Sequence, residues 1–183
     1  TGTLGSLGTI SYNGNKIITT GGGGMIITDD ENLAIRAKHI TTTAKVPHAY
    51  EFVHDEIGFN YRMPNLNATL GCAQMETLPQ MLEIKESIIA RYSQFFDGSG
   101  IKMVRPIEGA TCNNWLSAII LNSRKDRDEF LSYTNDNGVM TRPVWQLMSE
   151  LNMFSDCQHD GLENSFWLQA RIVTIPSSVP SIN

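Results

Sequence analysis

A single lysine, Lys16, stands between the turn-forming phrase Ser11-Tyr12-Asn13 and four consecutive glycines, Gly21 to Gly24. A lysine amine can condense with an aldehyde to form a Schiff base, and burial or nearby cations make such an amine a better nucleophile. Ser11, five positions earlier, offers a hydroxyl that can donate to a phosphate. A glycine run lets backbone come close to a flat ligand. Together these residue types suit a phosphorylated aldehyde. From spacing alone, an exposed hairpin lysine beside a mobile glycine loop is the plainer reading. A nucleotide loop fits less well, because GGGG without a following GK[ST] matches neither the dinucleotide nor the P-loop fingerprint.

Two histidines, His48 and His54, lie six apart in an aromatic stretch with no cysteine or second histidine at ligand spacing, so no metal site is expected. Cys72, Cys112 and Cys157 are odd in number and far apart, which argues against a disulfide or zinc framework and favours a reducing cytoplasm. Trp115, Trp167, Phe95 and Phe96 are most simply core residues.

The elements that must position these groups follow from periodicity and breakers. Thr9–Tyr12 and Gly24–Thr28 are short apolar runs bounded by turn residues and read as strands. Asp29-Asp30-Glu31 starts a helix reaching about Thr43, with Leu33, Ala34, Ala37 and Ile40 on one face. From Thr43 to Met63 the periodicity stops, in an aromatic segment that reads as an ordered loop. A long helix follows from about Pro64 to Phe96, which Pro79 should kink or divide. Beyond Asp97-Gly98-Ser99-Gly100 come strands around IKMV and NWLSAIIL, and a helix capped by Ser123 or Asp126 and stopped by Gly138. A strand and turn at VMTRPVW, a further helix and a last strand at Ile172–Ile175 complete the chain. Strands and helices thus alternate in an α/β chain with a boundary near Ile101, separating residues 1–100 from 101–183.

With 183 residues, 41% hydrophobic and 18% charged, the chain can bury a substantial core. A net charge of -5 provides no basic face for nucleic acid. No apolar run is long enough to span a membrane, and the N-terminus is no signal peptide. The chain opens without methionine in a Gly/Thr-rich phrase and reads as part of a longer polypeptide.

Four phrases carry a resemblance. SYNGNKIITTGGGGMIITDDENLAIRAKHI is similar to the lysine segment of the DegT/DnrJ/EryC1/StrS sugar aminotransferases, with a glycine where that family has an acidic residue. GFNYRMPNLNATLGCAQME, TRPVWQLM and ARIVTIPSSV resemble its later motifs, so the likeness covers nearly the whole chain. The resemblance implies the C-terminal half of a fold-type I, pyridoxal phosphate (PLP)-dependent transferase: the end of the large cofactor domain with its long helix, then a small α/β domain. The all-glycine run and the form of TRPVWQLM are closest to enzymes that aminate UDP-linked 4-keto-6-deoxy amino sugars, on the way to bacillosamine and legionaminic acid in surface glycans. Glutamate is the implied amino donor, and a cytoplasmic homodimer with shared active sites the implied assembly.

By the same resemblance, Lys16 holds the cofactor covalently and shuttles a proton to the sugar C4. Ser11 binds the cofactor phosphate, and Asn60 reaches that phosphate from the neighbouring subunit. Arg142 and Trp145 face the nucleotide sugar, with an ion pair and a core tryptophan as the plain alternatives. Arg62 lies in the same motif as Asn60 and is a substrate-binding candidate or a salt-bridging residue. The carboxylate for the pyridine nitrogen belongs, in that family, to the part before Lys16, so this chain alone is expected to be inactive. Relatives that act as dehydratases replace the lysine by histidine, which Lys16 argues against. A non-catalytic relative or a small α/β ligand-binding module are the alternatives.

Overall fold

The computed structural model describes residues 2–180. They divide into two compact units, Thr1–Pro79 and Gln80–Asn183, with one long helix running through the division.

The first unit starts with a hairpin. Strand β1 (Gly8–Ser11) pairs antiparallel with β2 (Gly24–Ile27) in a register that sets Ile10 opposite Met25 and Ser11 opposite Gly24. Helix α1 (Glu31–Thr41) begins where the acidic phrase predicts. Asp30 takes extended backbone angles and its carboxylate accepts from the Leu33 amide at 3.1 Å, satisfying one of the unpaired donors of the first turn. Glu31 in the first turn and Lys38 and His39 in the last complement the helix dipole. The segment after α1 is ordered, as expected. Isolated antiparallel bridges join Thr42 to Asn60 and Lys45 to His54.

Helix α2 (Asn65–Phe96) is a single element of 32 residues with Pro79 inside it. The proline does not divide it. Pro79 removes one amide donor, but the hydrogen-bonded turns on either side carry the ladder past that gap.

The second unit is built on a four-stranded sheet in the order β3 (Lys102–Met103), β4 (Ser117–Ile120), β6 (Ile172–Ile175), β5 (Arg142–Pro143), antiparallel throughout. Burial alternates along β4 and β6, and the register sets Ser117 against Ile175 and Ile119 against Val173. The inward residues of the two strands therefore share one face. Ile119, Leu121, Val173 and Ile175 form the core, covered by Tyr92 and Phe96 of α2 and by Phe130 and Leu131 of α3 (Arg124–Asp136). Ser123 caps α3 through the Asp126 amide at 3.1 Å. The connection from β5 back to β6 contains two short 3-10 turns, Met148–Glu150 and Asn152–Phe154, and the helix α4 (Glu163–Gln169).

Two of the aromatic residues expected in the core lie elsewhere. Phe95 is 77% exposed while its neighbour Phe96 packs against the core, because consecutive helical residues point about 100° apart. Trp167 is half exposed, with the Arg171 guanidinium 4.5 Å above its ring.

Candidate active site

Lys16 sits on the excursion that joins β1 to β2. The base of that excursion is closed by Tyr12, whose amide donates to Gly23 O at 3.1 Å. Tyr12 O accepts the Thr20 amide at 3.1 Å and the Thr19 hydroxyl at 3.0 Å. Inside the loop the Lys16 amide donates to Asn13 O at 3.0 Å, and Lys16 is half-buried. Ser11 ends β1, and its Oγ accepts the Asn13 amide at 3.3 Å, which leaves the hydroxyl hydrogen to donate elsewhere. Gly21 and Gly23 hold φ of 80° and 87°, the left-handed region that glycine enters without cost. Lys16 and the glycines thus share one tethered loop, and Ser11 stands at the strand end that leads into it.

The first half of α2 holds that loop in place. Asn67 donates to Thr20 O at 2.6 Å, and Gln74 Oε1 accepts the Thr19 amide at 3.3 Å. Between them Gly71 faces Thr20, where an added Cβ would stand 2.9 Å from Thr20 Cγ2. Positions 67, 71 and 74 repeat at helical spacing and form one stripe. Three polar or small residues of the phrase GFNYRMPNLNATLGCAQME therefore act on the backbone beside Lys16.

Asn60 and Arg62 lie on the segment that leads into α2. Both are exposed. With Lys38 and Thr41 of α1 and the hairpin face from Ile10 and Met25 to Thr28, they line an open groove of about 1050 Å³ in the first unit. The cations Lys38 and Arg62 and the Asn60 amide on this lining could suit an anionic group.

Arg142 and Trp145 belong to the second unit. Trp145 is 69% exposed and is no core residue. Arg142, in β5, has its Nη2 3.4 Å from Met140 Sδ, and its backbone carbonyl accepts the Thr174 hydroxyl at 2.9 Å. Of the two histidines, His48 Nδ1 accepts the Glu51 amide at 2.9 Å, and His54 Nδ1 lies 2.7 Å from Thr43 O. Both are tied to local backbone.

Two charged features had no sequence signal. Lys85 of α2 is 5% exposed and its ammonium donates to three carbonyls, Asn114 O at 3.0 Å, Trp115 O at 3.3 Å and Ser177 O at 2.8 Å. Burial pushes its pKa below the ordinary lysine value. On α1, Arg36 and His39 meet Asp55 and Glu56 from the following loop. Ligand atoms of His39, Asp55 and Glu56 come within 4.8 Å of one another, but Arg36 engages both Glu56 oxygens, so the group is a salt-bridge cluster.

The fold of this chain, helices on a small antiparallel sheet joined through α2 to a glycine-rich hairpin, is that of solved sugar aminotransferases. TlmJ, an aminotransferase from Streptoalloteichus hindustanus, superposes with a TM-score of 0.87 at 24% identity, over 96% of this chain and 48% of its own. Spr1654 from Streptococcus pneumoniae in its PLP-form gives 0.83 at 18% identity, over 98% and 48%. In sequence, residues 1–181 match the DegT/DnrJ/EryC1/StrS aminotransferase family, and the chain belongs to that family. GDP-perosamine synthase from Escherichia coli O157:H7 is 31% identical over 178 residues, 96% of this chain and 48% of that protein. The chain spans about half the length of the relatives it matches. Pyridoxal phosphate is the cofactor of this family, and the Lys16 loop fits it. Lys16 is half-buried on the loop, Ser11 stands at the end of β1 with a hydroxyl hydrogen to donate, and two left-handed glycines close the loop.

Proposed function

We propose that the protein carrying this chain transfers an amino group, from glutamate, to the C4 ketone of a nucleotide-linked 4-keto-6-deoxy amino sugar used in surface glycans. The observation that carries this reading is the family match along residues 1–181, together with Ser11 and Lys16 on one loop clamped by α2. Bound pyridoxal phosphate supplies an electron sink for carbanion chemistry. Lys16 Nζ anchors it, takes a proton from the amino-bearing carbon of the donor, and later delivers a proton to C4 of the sugar. The Ser11 hydroxyl donates to the phosphate, and Asn60 does so from a second copy of the chain. Arg142 binds the diphosphate as a planar cation and Trp145 stacks on the nucleotide, which its exposure permits; Arg62 is a further substrate-binding residue.

Borohydride reduction of the PLP-loaded parent protein, followed by peptide mapping, tests the central assignment. The label is expected on Lys16, and a label on another residue, or none, overturns it. For the nucleotide we favour UDP, on the resemblance of TRPVWQLM and the all-glycine run. The name of GDP-perosamine synthase makes GDP the competitor. Turnover of UDP-linked against GDP-linked keto sugars decides between them, and a preference for the GDP substrate removes the UDP reading.

A further inference from the structure

Arg36 and His39 lie one turn apart on α1 and meet two adjacent carboxylates from the loop that follows it. The Arg36 guanidinium grips Glu56 with both nitrogens, Nη2 at 2.6 Å from Oε2 and Nη1 on Oε1. His39 Nε2 is 2.7 Å from Asp55 Oδ1 and 3.4 Å from Glu56 Oε1. Among the described residues, the charged groups acting on the two carboxylates are Arg36, His39 and each other. Hydrogen bonds to His39 and Arg36 respectively hold the Asp55 and Glu56 carboxyls below their ordinary pKa values.

Directly after this cluster the loop runs back along α1. The Phe59 amide donates to Ile40 O at 2.7 Å and the Tyr61 amide to Thr41 O at 2.9 Å, on either side of Asn60. Asn60 is itself bridged to Thr42. Backbone contacts therefore hold the loop at its end, and the ion pairs hold it at the bend just before.

We propose that Arg36 and His39 are positioning residues: by holding Asp55 and Glu56 they pin the 43–61 loop onto α1 and set the place from which Asn60 reaches the cofactor phosphate. The proposal rests on the reading of Asn60 given above. A bidentate guanidinium–carboxylate pair fixes geometry as well as charge, and a loop held at both ends of a short stretch has few conformations left to lose on binding.

The test uses the full-length protein with the double variant Asp55→Asn/Glu56→Gln, which keeps side-chain shape and removes both charges. Two quantities are measured: hydrogen exchange in peptides covering residues 55–61, and the affinity of the apoprotein for pyridoxal phosphate by fluorescence titration. Exchange is expected to quicken by about three- to tenfold, the range open to one or two exposed pairs, and affinity to fall by a similar factor. Asn60→Ala is expected to weaken cofactor binding while leaving exchange as in the wild type. Unchanged exchange in the double variant overturns the latch. Faster exchange with unchanged affinity overturns its link to the cofactor. If Asn60→Ala leaves affinity unchanged, the role of Asn60 fails, and the proposal with it, whatever exchange shows.

Discussion

Lys85 shows what a single buried charge costs and contributes. Its three hydrogen bonds go to carbonyls, so the ammonium is satisfied by dipoles from residues 29, 30 and 92 positions away in the chain. Lys85→Met keeps the length of the side chain but leaves those acceptors without their donor. The expected loss is about 2 kcal/mol, read as a lower urea midpoint with an unchanged slope. The pH dependence has a definite sign. Desolvation lowers the folded-state pKa below 10.5, so the unfolded chain binds the proton more tightly. Stability should therefore rise with pH in the window just below 10.5, and the Met variant should lose that slope. At the same scale, Gly71→Ala places a methyl 2.9 Å from Thr20 Cγ2, so the Thr20 side chain or the segment that carries it must shift. It should lower the yield of borohydride-trapped cofactor at Lys16 and leave the β4–β6 core intact, measurable as unchanged hydrogen-exchange protection of those strands.

At the scale of elements, both capped helices depend on one side chain each. Asp30→Ala in α1 and Ser123→Ala in α3 each remove the acceptor for a first-turn amide and should cost about 1 kcal/mol, as thermal unfolding would register. The loop between α1 and α2 behaves differently. Its ion pairs use carboxyls whose pKa values are depressed in the folded state, chiefly by hydrogen bonds to His39 and Arg36. The contribution of these two carboxylates is present above the usual carboxylate pKa and is lost as pH falls through their depressed folded values. Exchange of the 55–61 peptides, corrected for intrinsic pH effects, should thus rise as pH falls below about 5.

Across the whole chain, buried apolar side chains are unevenly shared. In the second unit Ile119 and Val173 are fully buried, with Leu121 and Ile175 beside them. In the first, Ala44 is the buried hydrophobic among the described residues, while Ile10, Met25 and Ile26 of the hairpin are each more than 40% exposed. A two-stranded hairpin without a covered face is marginal in water, and apolar surface of this kind is where a partner packs. The 183-residue chain by itself should therefore show its slowest amide exchange in β4 and β6 and fast exchange in β1 and β2. The proposed shared site makes a separate prediction for the parent protein. At a cofactor concentration too low to load Asn60→Ala dimers, inactive Lys16→Ala subunits mixed with Asn60→Ala subunits should regain up to about a quarter of wild-type activity, since half of the random dimers then hold one intact site. No recovery on mixing would place Asn60 in the same subunit's site or outside it.

Much of the architecture could be read before any coordinates, because it rests on interactions between near neighbours in sequence. Turn residues and apolar runs located β1, β2 and β6; the phrase Asp29-Asp30-Glu31 and the pair Ser123 or Asp126 marked the helix starts; four ordered phrases pointed to the family. Those signals are local, set by backbone propensity, capping and side-chain period within a few residues. Three-dimensional packing settled the rest. It carried α2 unbroken through Pro79, turned Phe95 and Trp167 outward, and aimed Asn67, Gly71 and Gln74 at the lysine loop. It also brought Asp55 and Glu56 to Arg36 and His39, and sank Lys85 among carbonyls from distant segments. Each of these depends on which side of a helix meets which remote backbone atom, a matter of long-range geometry that no window of neighbouring residues encodes.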